Sequence, residues 1–223
     1  MDNAERRDKG MLYRTDEQLM KQQAKARRLT QKLNTMDRSD FKGIMEVIKE
    51  LLGKGDDAFI NPPFYCDYGF NIEIGKHFFC NYHCTILDVA KVRIGDNCFF
   101  APNVSLYTAG HPIHPAMRNT AYEYGMEINI GNNVWIGGNT VVCSGVTIGD
   151  NYVIGAGSVV TKDIPAWSVA AGNPCRIIRK ITDEDMDFYF RRLRPDDDAL
   201  QDIKKIIEEA NDPKRFPFHL SEK

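Results

Sequence analysis

The sequence predicts a mainly β fold: a parallel β-helix wound from six-residue repeats, with helices at both ends. Three observations predict it. Apolar residues or cysteine recur at every sixth position through most of residues 74–165. Glycine directly follows many of those positions. On either side, the apolar spacing switches to the threes and fours of amphipathic helices. With 223 residues, 43% of them hydrophobic, the chain is long enough for one large domain with appendages and can bury a core.

The first part, residues 1–57, reads as helical. Thr15-Asp16-Glu17-Gln18 has a capping-box pattern, which predicts a polar helix running toward Leu33. A second helix is predicted from near Ser39. Its Phe41, Ile44, Met45, Ile48, Leu51 and Leu52 share one face, and Gly53 and Gly55 end it.

The coil is assigned to residues 58–180. Its inward ladder is Ile74, Cys80 and Ile86, then Ile94, Phe100 and Leu106, then Ile130, Ile136, Val142, Ile148, Ile154 and Val160. Gly75, Gly95, Gly131, Gly137, Gly149 and Gly155 each follow one of these. A six-residue unit makes one short strand plus one turn, and three units close a triangular turn of the coil. Stacked turns share a continuous core. A second inward slot, four residues further on, is mostly small. Tyr152 is large for it, which predicts a local distortion there. Between Ile86 and Ile94 the register gains two residues, which predicts a bulged corner. Spacing alone does not set the hand of the coil, and crossovers between parallel strands are normally right-handed.

Residues 107–127 break the repeat in mid-coil. Long irregular loops in compact domains are usually functional. This one holds His111 and His114, two of the chain's five histidines, together with Glu123 and Glu127. Pro112 stiffens the chain beside His111. A neutral imidazole is a fitting general base for a hydroxyl, and Glu123 is the candidate to hold its other ring nitrogen. The last part, 181–223, is a helical extension. Thr182 can cap one helix, and Pro195 can open a second with Leu200, Ile203, Ile206 and Ile207 on one stripe. Pro213 and Pro217 mark a loose tail.

Composition narrows the function. The net charge of −2 shows no basic excess for nucleic acid. No apolar run approaches the roughly 18 residues of a membrane span. Residues Met1–Lys21 lack an apolar signal region, so a cytoplasmic protein is expected. The six cysteines form no CxxC pair and read as small buried thiols rather than a disulfide framework or a zinc site.

Several segments carry a family resemblance. They are Pro62-Pro63-Phe64-Tyr65-Cys66-Asp67-Tyr68-Gly69, Ala109-Gly110-His111-Pro112, Ile130-Gly131-Asn132-Asn133-Val134-Trp135-Ile136-Gly137, the run Ile154–Pro165, and Ala171-Gly172-Asn173-Pro174. In this order they resemble the maltose and galactoside O-acetyltransferases, a group of the hexapeptide-repeat transferases. The resemblance implies a left-handed β-helix, a homotrimer with active sites between subunits, acetyl-CoA as donor, no metal, and a sugar or glycoside hydroxyl as acceptor. It implies that His111 is the catalytic histidine and that Asn81 meets the reacting groups. Asp67 and Asp88 occupy or adjoin acceptor-side positions. The N-terminal acceptor-binding carboxylate maps to Asp16, or to a neighbour if Arg14 or Thr15 is an insertion. Gly138, Ala156, Thr161, Lys162, Arg176 and Arg179 fall on CoA-contacting positions, with Trp135 beside them.

The expected chemistry is direct transfer. His111 takes the acceptor proton, a backbone N–H near Gly137 or Gly138 stabilises the oxyanion, and the imidazolium protonates the leaving thiolate. Cys80 and Cys84, the conceivable nucleophiles, are expected to be buried. Streptogramin and serine acetyltransferases share the coil, but the chain lacks the large helical N-terminal domain expected of the serine enzymes. A zinc hydratase on the same coil would need three converging histidines from His77, His83, His111 and His114. A non-catalytic binding protein is the remaining alternative, and the intact His111 loop argues against it.

Overall fold

The computed structural model describes residues 1–55 and 57–210. The chain divides into two compact units, Met1–Lys180 and Ile181–Lys223. In the first, three helices precede the coil. Asp2 caps α1 (Asn3–Asp8) in a reciprocal box with Glu5. The second helix, α2 (Glu17–Thr35), is capped by Asp16, whose side chain accepts from the Leu19 N–H. The cap therefore sits one residue beyond Thr15, the expected position. The Thr15 hydroxyl is used elsewhere, on Glu123. Helix α3 (Phe41–Leu51) buries Ile44, Val47, Ile48 and Leu51. The chain leaves it through Gly53, where a Cβ would stand 2.1 Å from the Phe70 carbonyl oxygen. Only glycine fits that approach.

The coil then winds through three sheets. Turn one is β1 (Ala58–Ile60), β2 (Phe64–Cys66) and β3 (Ile72–Ile74). Turn two is β4 (Phe78–Cys80), β5 (Cys84–Leu87) and β6 (Val92–Ile94). Turn three has β7 (Phe99–Phe100) and β8 (Ser105–Tyr107), then the loop, with the short pair β9 (Ala109–Gly110) and β10 (Tyr124–Gly125) flanking α4 (Pro115–Arg118), and closes on β11 (Ile128–Ile130). Turn four is β12 (Val134–Ile136), β13 (Val141–Val142) and β14 (Thr147–Ile148). Turn five has β15 (Tyr152–Ile154) and β16 (Val159–Val160), and its third side is the bridge of Ile164 to Ile148. After it, β17 (Ser168–Ala171) adds one more parallel strand, and β18 (Arg176–Lys180) folds back antiparallel.

All lateral pairs in the body of the coil are parallel. They form sheet 1 (β1-β4-β7-β12-β15-β17, closed by β18), sheet 2 (β2-β5-β8-β13-β16) and sheet 3 (β3-β6-β11-β14). The inward ladder is buried as the six-residue spacing predicts, from Ile74 and Cys80 to Ile154 and Val160. Each such Ile, Leu or Phe contributes about 1.5–3 kcal/mol by leaving water.

The corners explain how so sharp a coil closes. His77, Asn97, Asn133, Asn151 and Trp167 turn sheet 3 into sheet 1, each at φ 56–57°. Asparagine tolerates this left-handed region because its short amide bonds locally. Here the amides also bond to one another: Asn97 donates to Asn133 at 3.1 Å and Asn133 to Asn151 at 2.8 Å. The two extra residues before Ile94 form a tied corner. Asp88 accepts from the Asp67 and Tyr68 N–H groups at 2.9 Å each, and the Ala90 N–H donates to Thr108. At Tyr152 the expected distortion does not occur. The register runs unbroken from Val134 through Tyr152 to Ser168, and the small Ser168 on the next turn leaves room for the buried ring.

In the second unit, Thr182 caps a 3-10 turn, Asp183–Asp187. Helix α5 (Asp197–Ala210) starts two residues after Pro195, with the Asp196 carboxylate accepting from the Ala199 N–H at 2.8 Å. Ile203, Ile206 and Ile207 stay partly exposed on its stripe. Pro213 and Pro217 lie outside the described residues. No helix among the described residues is long and apolar enough to cross a membrane.

Candidate active site

The loop that carries His111 leaves the coil at the corner between sheets 2 and 3. Its base is a two-residue antiparallel ribbon pairing Gly110 with Tyr124 and Ala109 with Gly125. Continued by one step, that register sets His111 opposite Glu123. His111 is exposed, and its ring has no hydrogen-bond partner among the described residues. Glu123 does not hold it. The Glu123 carboxylate accepts from the Thr15 hydroxyl at 2.8 Å, and its backbone pairs with Tyr13 in both directions at 3.0 Å. Glu123 thus fastens the N-terminal segment over the loop. Tyr13, Leu19, Tyr68 and Val89 form a small separate core beneath that fastening.

The same corner gathers other residues that the resemblance places on the acceptor side. Asp67 is half-buried, and burial with the neighbouring Glu123 charge holds its carboxyl above the usual range while Arg27 opposes. Asp88 is fully buried. Burial pushes it up to about 6 against the two N–H groups it accepts. Its carboxylate ties the corner and sits behind Asp67, so it positions Asp67 and does not face an acceptor itself. Asp16 spends one oxygen on the Leu19 N–H and the other on the Asn3 amide, and those bonds hold it below the usual carboxylate range.

Asn81 lies at a different corner, between sheets 1 and 2. It lines a groove of about 460 Å³ with Phe79, Phe99, Phe100, Ala101 and Trp135. Phe79, Phe99 and Trp135 are the outward residues of β4, β7 and β12, stacked in register. The sequence reading followed the inward ladder and passed over Phe79 and Phe99. Reading the outward residue of each repeat would have found them. Tyr13, Thr15 and Arg27 were also missed, because only the folded N-terminal segment brings them to the loop.

Beyond the groove, the corner between sheets 1 and 2 is built from small residues: Ala101, Pro102, Gly137, Gly138, Gly155, Ala156 and Gly157. The Gly137 N–H is used in the coil, donating to Ile154 at 2.7 Å. The Gly138 N–H has no partner among the described residues, so of the two N–H groups it is the one left open. A Cβ on Gly138 would meet the Pro102 carbonyl oxygen at 3.1 Å. Thr161 and Lys162 are exposed at the sheet 2–3 corner of turn five, and Arg176 and Arg179 on β18 pair with Ala171 and Val169. These cations share the last turns of the coil but not the corner of Gly138.

In one chain, therefore, His111, Glu123 and Asp67 stand along one edge of sheet 2 and Asn81 and Gly138 along the other, with Trp135 outward on sheet 1 beside Asn81. The other histidines do not converge. His77 and His83 occupy successive corners, and His114 caps α4 through a ring nitrogen that accepts from Ala116 at 3.2 Å. No group of three His, Cys, Asp or Glu side chains among the described residues is arranged to hold a metal. Cys80 and Cys84 are buried, and burial pushes the Cys80 thiol up, against a role as nucleophile.

Residues 127–162 match the family described as "Bacterial transferase hexapeptide (six repeats)", and residues 8–55 match "Maltose acetyltransferase hexapeptide capping motif". The galactoside O-acetyltransferase of Escherichia coli (strain K12) is 47% identical over 176 residues, covering 78% of this chain and 87% of that protein. The solved galactoside acetyltransferase in complex with coenzyme A superposes with a TM-score of 0.85 at 44% identity, over 88% of this chain and 99% of that one. The maltose O-acetyltransferase of Clostridium difficile 630 gives a TM-score of 0.81 at 46% identity, over 82% and 99%.

Proposed function

Because the chain belongs to the maltose and galactoside O-acetyltransferases, left-handed β-helices of the hexapeptide-repeat transferases, we propose that it moves an acetyl group from acetyl-CoA to a hydroxyl of a sugar or glycoside. The observation that carries this reading is the likeness to the CoA-bound galactoside enzyme over nearly the whole coil.

The chain's own residues fit the donor. The small-residue corner from Ala101 to Gly157 is a trough for an extended arm, with an unpaired N–H at Gly138. Trp135 walls it, and Ala156 leaves it open. Lys162, Arg176 and Arg179 at the end of the coil supply cations for phosphates, and Thr161 adds a hydroxyl.

His111 removes the proton from the acceptor hydroxyl as the oxygen attacks the thioester carbonyl. The Gly138 N–H donates to the developing oxyanion, and Asn81 orients the reacting groups. The imidazolium then gives its proton to the leaving thiolate. Asp67 and Asp16 face the acceptor, while Asp88 holds Asp67 and Glu123 holds the loop.

The separation of His111 from Asn81 within one chain supports a composite site. We propose a homotrimer in which His111 of one copy meets Asn81 of the next. A cytoplasmic location agrees with six free cysteines. The test is release of free thiol from acetyl-CoA across a panel of sugars and glycosides, with serine and a streptogramin as controls. Turnover confined to serine or the antibiotic would overturn the sugar reading.

A further inference from the structure

We infer that the acceptor is an amino sugar, recognised through its ammonium group by Asp67 while the acetyl group goes to a hydroxyl. This rests on the O-acetyltransferase reading and narrows its acceptor.

Charge is unbalanced around Asp67. Asp67 is half-buried, and its carboxylate accepts no hydrogen bond from any described residue. Asp88 stands directly behind it. It is 0% exposed, one oxygen holds the Asp67 and Tyr68 N–H groups, and the other has no partner. Glu123 is the third carboxylate, close enough to Asp67 to act on its ionisation, with one oxygen on Thr15. Against these acids stands Arg27, an exposed cation that acts on Asp67 from α2. The buried Arg7 does not help. It lies over the Tyr68 ring at 4.6 Å and spends its N–H groups on Asp8 and Gln22.

Partial burial thins the hydration of the Asp67 carboxylate, which favours a charged partner in place of that water. A neutral sugar offers hydroxyl donors but leaves the excess charge. An ammonium offers donors and charge together, and a charge-assisted bond is about twice as strong as a neutral one. The register sets Glu123 opposite His111, and Asp67 lies within electrostatic reach of Glu123, so a bound amino sugar presents a neighbouring hydroxyl toward the base. That hydroxyl's oxygen bonds to the acetyl carbon, the carbon–sulfur bond breaks, and the hydroxyl proton passes through His111 to the thiolate. The ammonium keeps its proton and is not acylated.

The experiment uses the full-length protein and measures thiol release with glucosamine, glucose and N-acetylglucosamine, and the product is located by NMR. The expected result is an O-acetyl product and a kcat/KM for glucosamine at least about tenfold above both neutral sugars, the scale of one charged contact. Added salt should lower the glucosamine value and spare glucose. In Asp67→Asn the ratio of charged to neutral sugar should collapse toward one, and the salt titration of the unmodified protein keeps the test valid if that variant misfolds. Equal kcat/KM for charged and neutral sugars, or an N-acetyl product, overturns the inference and leaves the sugar O-acetyltransferase reading intact. No thiol release with any of the three overturns the inference, and no release across the wider panel of sugars and glycosides overturns the sugar reading as well.

Discussion

His111 owes its freedom to bonds made by its neighbours. Glu123 is engaged by Thr15 and Tyr13, so the imidazole is left exposed. His111→Ala should cut turnover by about two to four orders of magnitude. CoA binding, followed by Trp135 fluorescence, should hold, and a parallel loss of both would assign His111 to binding. Gly138→Ala places a Cβ 3.1 Å from the Pro102 oxygen and narrows the trough. It should raise KM for acetyl-CoA severalfold with little change in melting temperature. Asp88 makes a pH prediction. Its folded carboxyl titrates near 6, above the 3.8 of the free group. The contribution of Asp88 to stability is then fullest below pH 4 and falls as pH rises toward 6, by up to about 3 kcal/mol. Melts across that window should slope downward in the native protein relative to Asp88→Asn, which keeps an acceptor for the two N–H groups. Identical slopes would rule out the buried charge. At this scale the sequence located His111 by the broken repeat, but it missed the partner of Glu123. That bond joins positions 108 residues apart and depends on how the N-terminal segment lies over the loop.

The repeats were legible because a period of six shows itself in the side chains it buries. What the period could not show was the corner chemistry. His77, Asn97, Asn133, Asn151 and Trp167 share one left-handed backbone position, and three of them are joined amide to amide. Asn133→Ala removes two such bonds and forces a Cβ into that conformation, so it should cost about 2 kcal/mol in denaturant unfolding. Asn133→Gly should cost less, since glycine accepts the turn. Equal losses would show that the amide bonds, not the backbone, dominate. The Tyr152 expectation failed for a related reason. Whether a large inward ring fits depends on the residue one turn away in space, Ser168, and the linear pattern compares each slot only with its own. The helix start at Asp16 was misread by one residue because Thr15 and Asp16 are both good caps, and only the contact with Glu123 decides between them.

Over the whole molecule, the proposed trimer divides the chemistry of the two edges of sheet 2 between copies. Co-assembling His111→Ala with Asn81→Ala should restore activity that neither variant has alone. Random mixing in a ring of three regenerates roughly a quarter of the intact sites. No recovery would mean that each chain assembles its own site by moving the loop. The edges of sheet 2 were not readable from the sequence, because adjacency in the coil follows the corners and not the chain. The last strand carries a different consequence. A stack of parallel turns ends in a row of unpaired backbone groups, an invitation to end-to-end growth into fibres. In β18 the chain reverses direction and shifts register between Val169 and Ala170, and the strand carries Arg176, Arg179 and Lys180 at the tip of the stack. A second coil arriving there finds a strand of the wrong polarity, out of step and positively charged. The strand proposed to supply cations for a donor's phosphates thus also blunts the end of the stack.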